Sequence, residues 1–374
     1  MDQLIFFGSC LIAFGYAALL YWIMKGWDET NEWEVPQSHI VSTPVTVIVA
    51  ARNEEQHIER LIESLLGQNI PKHLLTIIII DDQSTDNTNQ IAQRYASEHL
   101  QILKTTENGG KKAAIALGVN TATTDIIICT DADCIAPPNW LRLMLSFYEI
   151  NKPAFLAGPI VYKTDRTLLQ RFQYLDGVGN MGLTAAGIHH KRYYLANGAN
   201  MLFERAAFDA VGGYANDSVA SGDDMMLVQK IAAINPDKVS FLKSNEAAIL
   251  TEPVKSVAEL IVQRKRWASK SKHYSDKGIV WVQAYVFLVI VALVTNLILI
   301  PFTNGLSLYS FMFLLSLKLT IDFLYLSRLA AYFGDRKPLK SFFKASLWSI
   351  IYILWASLSA ILPGTYQWKG RSVN

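Results

Sequence analysis

Between positions 279 and 317 the chain carries no charged residue. A helix needs about 20 apolar residues to cross the hydrocarbon layer of a bilayer, so this stretch has the material of nearly two crossings. Pro301 and the Thr303-Asn304-Gly305 turn divide it, which predicts one helix over 279–302 and a second over 306–333. The second continues past the uncharged run and takes in Lys318, Asp322 and Arg328. Lys318 and Asp322 are four residues apart, so they share one helical face and can pair. Charges at membrane depth mark a functional site or a structural pair packed against neighbouring helices, and the spacing here favours the pair.

Residues 4–24 are a further uncharged run of 21 residues. Asp2 stands where a secretory signal would carry basic residues, and the run ends in Tyr21-Trp22-Ile23-Met24 rather than in small residues. It therefore reads as an uncleaved anchor. A run over 345–362 follows Arg336, Lys337, Lys340 and Lys344, and such basic loops stay on the cytoplasmic side. Lys25 agrees with that orientation. The run over 345–362 either spans, which would leave Lys369 and Arg371 outside, or lies in the interface. The predicted organisation is an integral protein of the cell or inner membrane. Residues 1–26 are the anchor, 27–44 a linker, 45–278 a cytoplasmic domain, 279–363 a membrane region of two to three helices and 364–374 a tail.

Composition fits this division. Only 18% of the residues are charged, against about 25% in soluble domains. The 34 Lys+Arg against 32 Asp+Glu leave no basic excess to attract nucleic acid. Three cysteines are too few for a disulfide framework or a four-Cys zinc site. Cys129 and Cys134 read as buried thiols, and the histidines show no ligand spacing.

Within the central block, strand and helix patterns alternate. Residues 45–50, 76–80, 100–103 and 126–130 are β-rich runs, separated by helical patterns over 54–66, 87–99 and 111–120. Asp86 or Asn87 is the expected cap of the middle helix. Continuous apolar strands alternating with helices predict an α/β fold, a mostly parallel sheet covered on both faces. Polar residues gather after the strands: Arg52-Asn53-Glu54, then 81–86 with Asp81 and Asp82, then Asp131-Ala132-Asp133. Ligands of open α/β sheets bind outside the carboxyl ends of the strands, so the three clusters converge on one crevice. None of these β-rich runs is followed by a GxGxxG turn, and a Walker A loop is absent, which disfavours a classical dinucleotide or P-loop site.

Asp131 and Asp133 suit Mg²⁺ or Mn²⁺, hard cations held by carboxylates together with substrate phosphates. Taken alone, Asp-x-Asp is equally compatible with a solvated turn. Asp223 and Asp224 can cap a helix or supply a general base. Gln263-Arg264-Lys265-Arg266-Trp267 is rarer by composition. It serves as a basic collar at the membrane surface, as a diphosphate and sugar contact, or as both. No Ser-His-Asp arrangement can be assembled from this sequence.

In this order the motifs resemble the membrane-bound family 2 glycosyltransferases with a GT-A catalytic domain. The likeness covers residues 45–267. VIVAARNEE (47–55) is similar to the family's opening strand, IIIIDDQSTDNT (77–88) to its nucleotide-contacting segment and NGGKKAAIALGV (108–119) to its lysine-bearing segment. TDADC (130–134) resembles the DxD motif, NGANMLFERAAFDAVGGY (197–214) the acceptor-side loop and helix, SGDDMML the ED-type segment and QRKRW the QxxRW motif. Members often have Glu-Asp where this chain has Asp223-Asp224; Leu227 fixes the register and favours Asp224.

The resemblance implies a GT-A fold with transmembrane helices and inverting transfer from a nucleotide-diphosphate sugar, most often a uridine one. Ala50, Arg52, Glu54, Asp81, Asp82, Lys111 and Asp131 would contact the donor. Asp131 and Asp133 would hold the divalent cation. Asp224 would act as base, with Asp223, Gln263, Arg266 and Trp267 completing the catalytic group, and Gly198 and Asn200 would face the acceptor. The short membrane region favours a lipid or lipid-linked acceptor over processive polysaccharide synthesis. The intact acidic positions disfavour a non-catalytic scaffold, and a hydrolase with paired carboxylates has no support in the pattern.

Overall fold

The computed structural model describes residues 2–106, 110–164, 167–215, 222–270, 274, 276–361, 366–368 and 371–373. Asn108, Gly109 and Ser221 of the motifs, and Lys272 and Lys369 of the basic segments, lie outside the described residues. Helix α1 (Asp2–Glu29) carries the first apolar run and ends later than the predicted anchor at residue 26. Trp27 explains the extension. It is buried and packs edge-on against Tyr332, so the last turn of α1 has a tertiary partner.

The central block begins with β1 (Val45–Ala51), α2 (Ile58–Leu66), β2 (Leu75–Asp81), α3 (Thr88–Gln93), β3 (Leu100–Lys104), α4 (Gly110–Thr121) and β4 (Ile126–Asp131). Helix α2 starts four residues after the predicted point. The Glu54 carbonyl accepts from His57 and Ile58, and its own N–H donates to Thr88 Oγ1, so residues 54–57 form a turn. The Asp86 carboxylate takes the Thr88 N–H (3.0 Å) at the start of α3, while Asn87 makes no side-chain cap. There follow β5 (Cys134–Ile135), α5 (Trp140–Asn151), β6 (Phe155–Ala157), β7 (Ile160–Tyr162), α6 (Leu168–His189), β8 (Met201–Glu204), α7 (Arg205–Ala210), α8 (Asp223–Ile234), β9 (Val239–Phe241), β10 (Ile249–Thr251) and α9 (Val257–Lys270).

The main sheet runs β3-β2-β1-β4-β8-β6-β9. β3, β2, β1 and β4 are parallel, β8 is antiparallel to both its neighbours, and β6 and β9 are parallel. The uniform apolar runs account for the parallel half: Val45, Val47, Val49, Ile77, Ile80, Ile127 and Ile128 are completely buried, because helices cover both faces. The chain proceeds outward from β1 to β3 and then returns to place β4 on the other side of β1. That reversal opens a crevice at the carboxyl ends of β1 and β4. In register there, Ala50 pairs with Asp131, and Ala51 with Asp81. A small sheet, β5-β10-β7, flanks this edge.

After α9 come α10 (Gly278–Leu299), α11 (Leu306–Tyr332) and α12 (Phe342–Ile361). Among the described residues three helices are long and apolar enough to cross a membrane: Gln3–Glu29, Gly278–Phe302 and Leu306–Tyr332. Helix α1 lies along α11 and α6, and α10 packs on α11. The predicted Lys318–Asp322 pair forms, and Tyr16 of α1 donates to the same carboxylate. Asn296 donates to Ser9 at 2.8 Å. Polar groups within these apolar helices are therefore paired with one another, within α11 and from helix to helix, the structural role the spacing favoured.

Candidate active site

The loops after β1 and β2 are tied into one shelf. The Arg52 guanidinium donates to the carbonyls of Asp82 (2.7 Å) and Gln83 (3.3 Å). Asn53 accepts from the Thr85 N–H at 2.8 Å. Glu54 is buried, and its carboxylate meets His57 Nδ1 at 2.8 Å. Asp81 and Asp82 are buried as well. Asp82 Oδ1 accepts from Thr105, and Asp81 Oδ1 from the Ser84 N–H. Asp81 Oδ2 has no partner among the described residues. A buried carboxylate oxygen left unpaired costs of order 1–3 kcal/mol, so this atom has unused capacity to accept a hydrogen bond.

On the other side of the crevice, Lys111 is the hub. Its Nζ is 2.7 Å from Asp131 Oδ1 and 3.1 Å from Asp223 Oδ2. Burial alone would lower its pKa, but Asp131, Asp223 and Asp224 together hold it well above the ordinary lysine value. The lysine is therefore charged at every physiological pH. Asp133 lies two residues beyond Asp131, half-buried, with Cys134 Sγ 3.7 Å from its Oδ1. Asp131 and Asp133 form an all-oxygen pair at a strand end, and this donor set fits Mg²⁺ or Mn²⁺.

Asp223 and Asp224 open α8 and behave differently. Asp223 is 4% exposed and turned to Lys111. Asp224 is half-buried, and its two oxygens accept from the backbone N–H groups of Gly198 (3.1 Å) and Met225 (2.8 Å). Gly222 precedes them at φ +90°, a left-handed conformation that glycine adopts without strain. Gly198 is required for a different reason. A Cβ there would sit 2.6 Å from Lys111 Nζ and 3.1 Å from Asp223 Oδ2. Gly198 thus belongs to the wall of the acidic cluster.

Asn200 is a correction to the acceptor-facing group. It is fully buried. Its Oδ1 accepts from Trp140 Nε1 (2.9 Å), and its Nδ2 donates to the carbonyls of Pro159 (2.7 Å) and Ala247 (2.9 Å). Every polar atom of that side chain is used to join α5, β8 and the loops before β7 and β10, which leaves nothing for an acceptor.

The QRKRW segment lies on α9, where Gln263, Arg266 and Trp267 are half-buried. Its buried member is Arg264, whose Nη2 is 2.6 Å from Asp176 of α6. The guanidinium also covers the rings of Trp267 (4.3 Å) and Tyr352 (5.7 Å). Tyr162 connects this group to the crevice. Burial pushes its hydroxyl up to about 12, against the opposing pull of Arg264 and with help from Asp176 and Asp133. Asp176, Arg264 and Tyr162 were not singled out from sequence. The available signal was that Asp176 is the lone acid of the 22-residue α6. Cys129 and Cys134 are buried thiols, as expected, with pKa values raised by burial.

Residues 46–212 match the family model described as Glycosyl transferase family 2. That stretch contains the crevice and its acidic residues up to Gly198, and it is similar to the glycosyl transferase family 2 domain. Glycosyltransferase AglE of Haloferax volcanii is 24% identical over 183 residues, covering 48% of this chain and 58% of that protein. Beta-monoglucosyldiacylglycerol synthase of Nostoc is 27% identical over 237 residues, 60% of this chain and 48% of that protein. The chain thus spans about half the length of the curated relatives it matches. The mannosyltransferase PcManGT from Pyrobaculum calidifontis, solved with GDP-Man and Mn²⁺, superposes with a TM-score of 0.57. It covers 96% of each chain at 20% identity, and this likeness shows the GT-A-like fold.

Proposed function

We propose that the chain is an inverting glycosyltransferase. It moves a sugar from a nucleotide-diphosphate donor, in our reading a UDP-linked one, to a hydroxyl of a lipid or lipid-linked acceptor at the cytoplasmic membrane face. The observation that carries this reading is the division of labour around Lys111. One carboxylate, Asp223, is buried and bound to the lysine; the next, Asp224, is partly open and held by two backbone N–H groups. A fixed, open carboxylate beside a cationic, acid-lined crevice is what proton removal next to a departing diphosphate requires.

In this mechanism the donor lies across the carboxyl ends of β1, β2 and β4. The shelf of Arg52, Asp81 and Asp82 holds the nucleoside, and the free Asp81 oxygen accepts a base or ribose donor. Asp131 and Asp133 would hold Mg²⁺ or Mn²⁺, whose charge neutralises the diphosphate. The acceptor oxygen bonds to the anomeric carbon from the face opposite the diphosphate. Its proton passes to Asp224 as the bond from anomeric carbon to phosphate oxygen breaks. The electron pair leaves with the nucleotide diphosphate, towards the positive charge of Lys111. One displacement inverts the anomeric centre. The lipid acceptor is supported by the three apolar helices and by a relative named as a glycolipid synthase.

Membranes carrying the chain, offered a panel of radiolabelled nucleotide sugars, test the reading, with wild type beside Asp224→Asn. Label should enter the lipid phase and be lost in the variant and with chelator. Label in an aqueous polymer would overturn the lipid acceptor in favour of a processive polysaccharide synthase. Failure with every donor would overturn catalysis and leave a nucleotide-sugar-binding membrane scaffold.

A further inference from the structure

Two helices end at the same point away from the acidic crevice. Glu29 is the last residue of α1, His189 is the last residue of α6, and His190 caps α6. One nitrogen from each histidine and one carboxylate oxygen of Glu29 all lie within 4.8 Å of one another. We propose that Glu29, His189 and His190 form a binding site for a borderline transition-metal cation such as Zn²⁺, pinning the end of the membrane anchor to the catalytic domain.

The ligand types set the metal class. Two imidazoles and one carboxylate suit Zn²⁺ and its first-row neighbours, whereas Mg²⁺ prefers oxygen ligands and its own waters. The site therefore differs in chemistry, and in every residue, from the Asp131–Asp133 pair.

Three features point to a shaped site rather than a chance meeting of side chains. His190 is held in place: its ring stacks on Trp22 with centroids 4.2 Å apart and planes 23° apart. Its Nε2 is 3.1 Å from the Trp22 carbonyl, to which it can only donate, so the neutral ring keeps its lone pair on Nδ1. A second ring nitrogen donating to a backbone carbonyl is the usual support of a metal-binding histidine. Gly26 makes room for this ring, since a Cβ there would lie 2.6 Å from His190 Nε2. Glu29 already faces His189, with 3.2 Å between Oε2 and Nε2.

Local electrostatics point the same way. The C-terminal ends of both α1 and α6 meet here, and each presents carbonyl groups with partial negative charge. Lys25 is the cation near Glu29, at 3.7 Å and more than half exposed, so it can swing aside. The neighbouring Lys191 is engaged elsewhere, with Asp237.

The test uses the full chain in detergent, freed of any affinity tag and stripped with chelator, titrated with Co²⁺ in excess Mg²⁺. Wild type should bind one Co²⁺ per chain, with visible absorption that Zn²⁺ abolishes. Glu29→Gln, His189→Gln and His190→Gln should each weaken Co²⁺ by about tenfold or more. The exposed residues Glu29 and His189 can be changed with little risk to folding, and His73→Ala serves as a control that should bind like wild type. No stoichiometric Co²⁺ in wild type, or binding unchanged in all three variants, would overturn the proposal. The readout does not depend on sugar transfer, so it fails or succeeds separately from the proposed activity.

Discussion

Replacing Asn200 by alanine separates a structural residue from an acceptor contact. The side chain is fully buried and makes three hydrogen bonds of 2.7–2.9 Å, and its partner Trp140 is fully buried too. Each lost bond costs about 1 kcal/mol, and more where the orphaned partner cannot reach water. Three bonds come to about 3–4 kcal/mol before any cost of the cavity. For a domain of roughly this size each kcal/mol lowers Tm by about 2–4 °C, so the expected fall is about 6–16 °C. Gly158→Ala should act from the opposite side, because a Cβ there would lie 2.3 Å from Asn200 Cγ. The assay is thermal unfolding of the detergent-solubilised chain by tryptophan fluorescence, with acceptor KM measured at a permissive temperature. An unchanged Tm together with a raised acceptor KM would refute the reasoning and return Asn200 to the acceptor surface.

Four further outcomes follow from the same geometry. Asp224→Asn should lower kcat by about 10²–10⁴ with donor KM little changed, while Asp223→Asn should act mainly on donor KM by freeing Lys111; steady-state kinetics separate the two. Lys111→Met removes the cation shared by Asp131, Asp223 and Asp224, and should lower kcat/KM by about 10²-fold. Arg264→Met leaves Asp176 uncompensated. Because that carboxylate keeps 26% of its exposure, the cost in thermal unfolding should fall short of the ~3–5 kcal/mol seen for fully buried pairs, and adding Asp176→Asn should restore part of it. Glu149 binds the linker through the backbone N–H groups of Ser42 and Thr43 and through His39. Burial would raise its pKa, but these bonds hold it below the ordinary value of 4.5. Its stabilisation is complete above that ordinary value and is lost as pH falls through the depressed one. The Tm gap between wild type and Glu149→Gln should therefore be full at pH 7 and shrink on acidification below about pH 4.

The donor side of the site was legible because it depends on local rules. Strands β1, β2 and β4 announce themselves as unbroken apolar runs, and each is followed at once by the polar residues it delivers to the crevice. Asp81 and Asp131 could thus be placed at the crevice from position alone, whereas Lys111, at the start of α4, was named from the family resemblance. Element ends were read less well where tertiary partners set them. Helix α1 outlasts its apolar run because Trp27 finds Tyr332, and α2 starts late because Glu54 bonds across to Thr88. Asn200 misled because a polar residue in a motif-like segment looks the same whether its amide meets a substrate or three buried backbone and side-chain groups. Its partners at 140, 159 and 247 are 40 or more positions away, and no spacing rule reaches that far.

The same distance in sequence explains why the surroundings of the QRKRW segment were only half visible. QRKRW reads as a cationic cluster, a basic collar or a diphosphate contact, and nothing in its spacing separates one arginine from the other. In the fold their fates diverge: Arg264 is spent on Asp176, Trp267 and Tyr352. Those partners come from α6, α9 and α12, and α6 also packs along the membrane anchor α1. Tyr162 senses both Arg264 and Asp133. Arg264 is buried against a carboxylate and two aromatic faces, so removing Asp176 would leave its charge unpaired away from water. The second residue of the basic motif thus joins α9 to α6 and α12, a structural role that leaves Gln263, Arg266 and Trp267 as the members of the motif for the proposed donor contact.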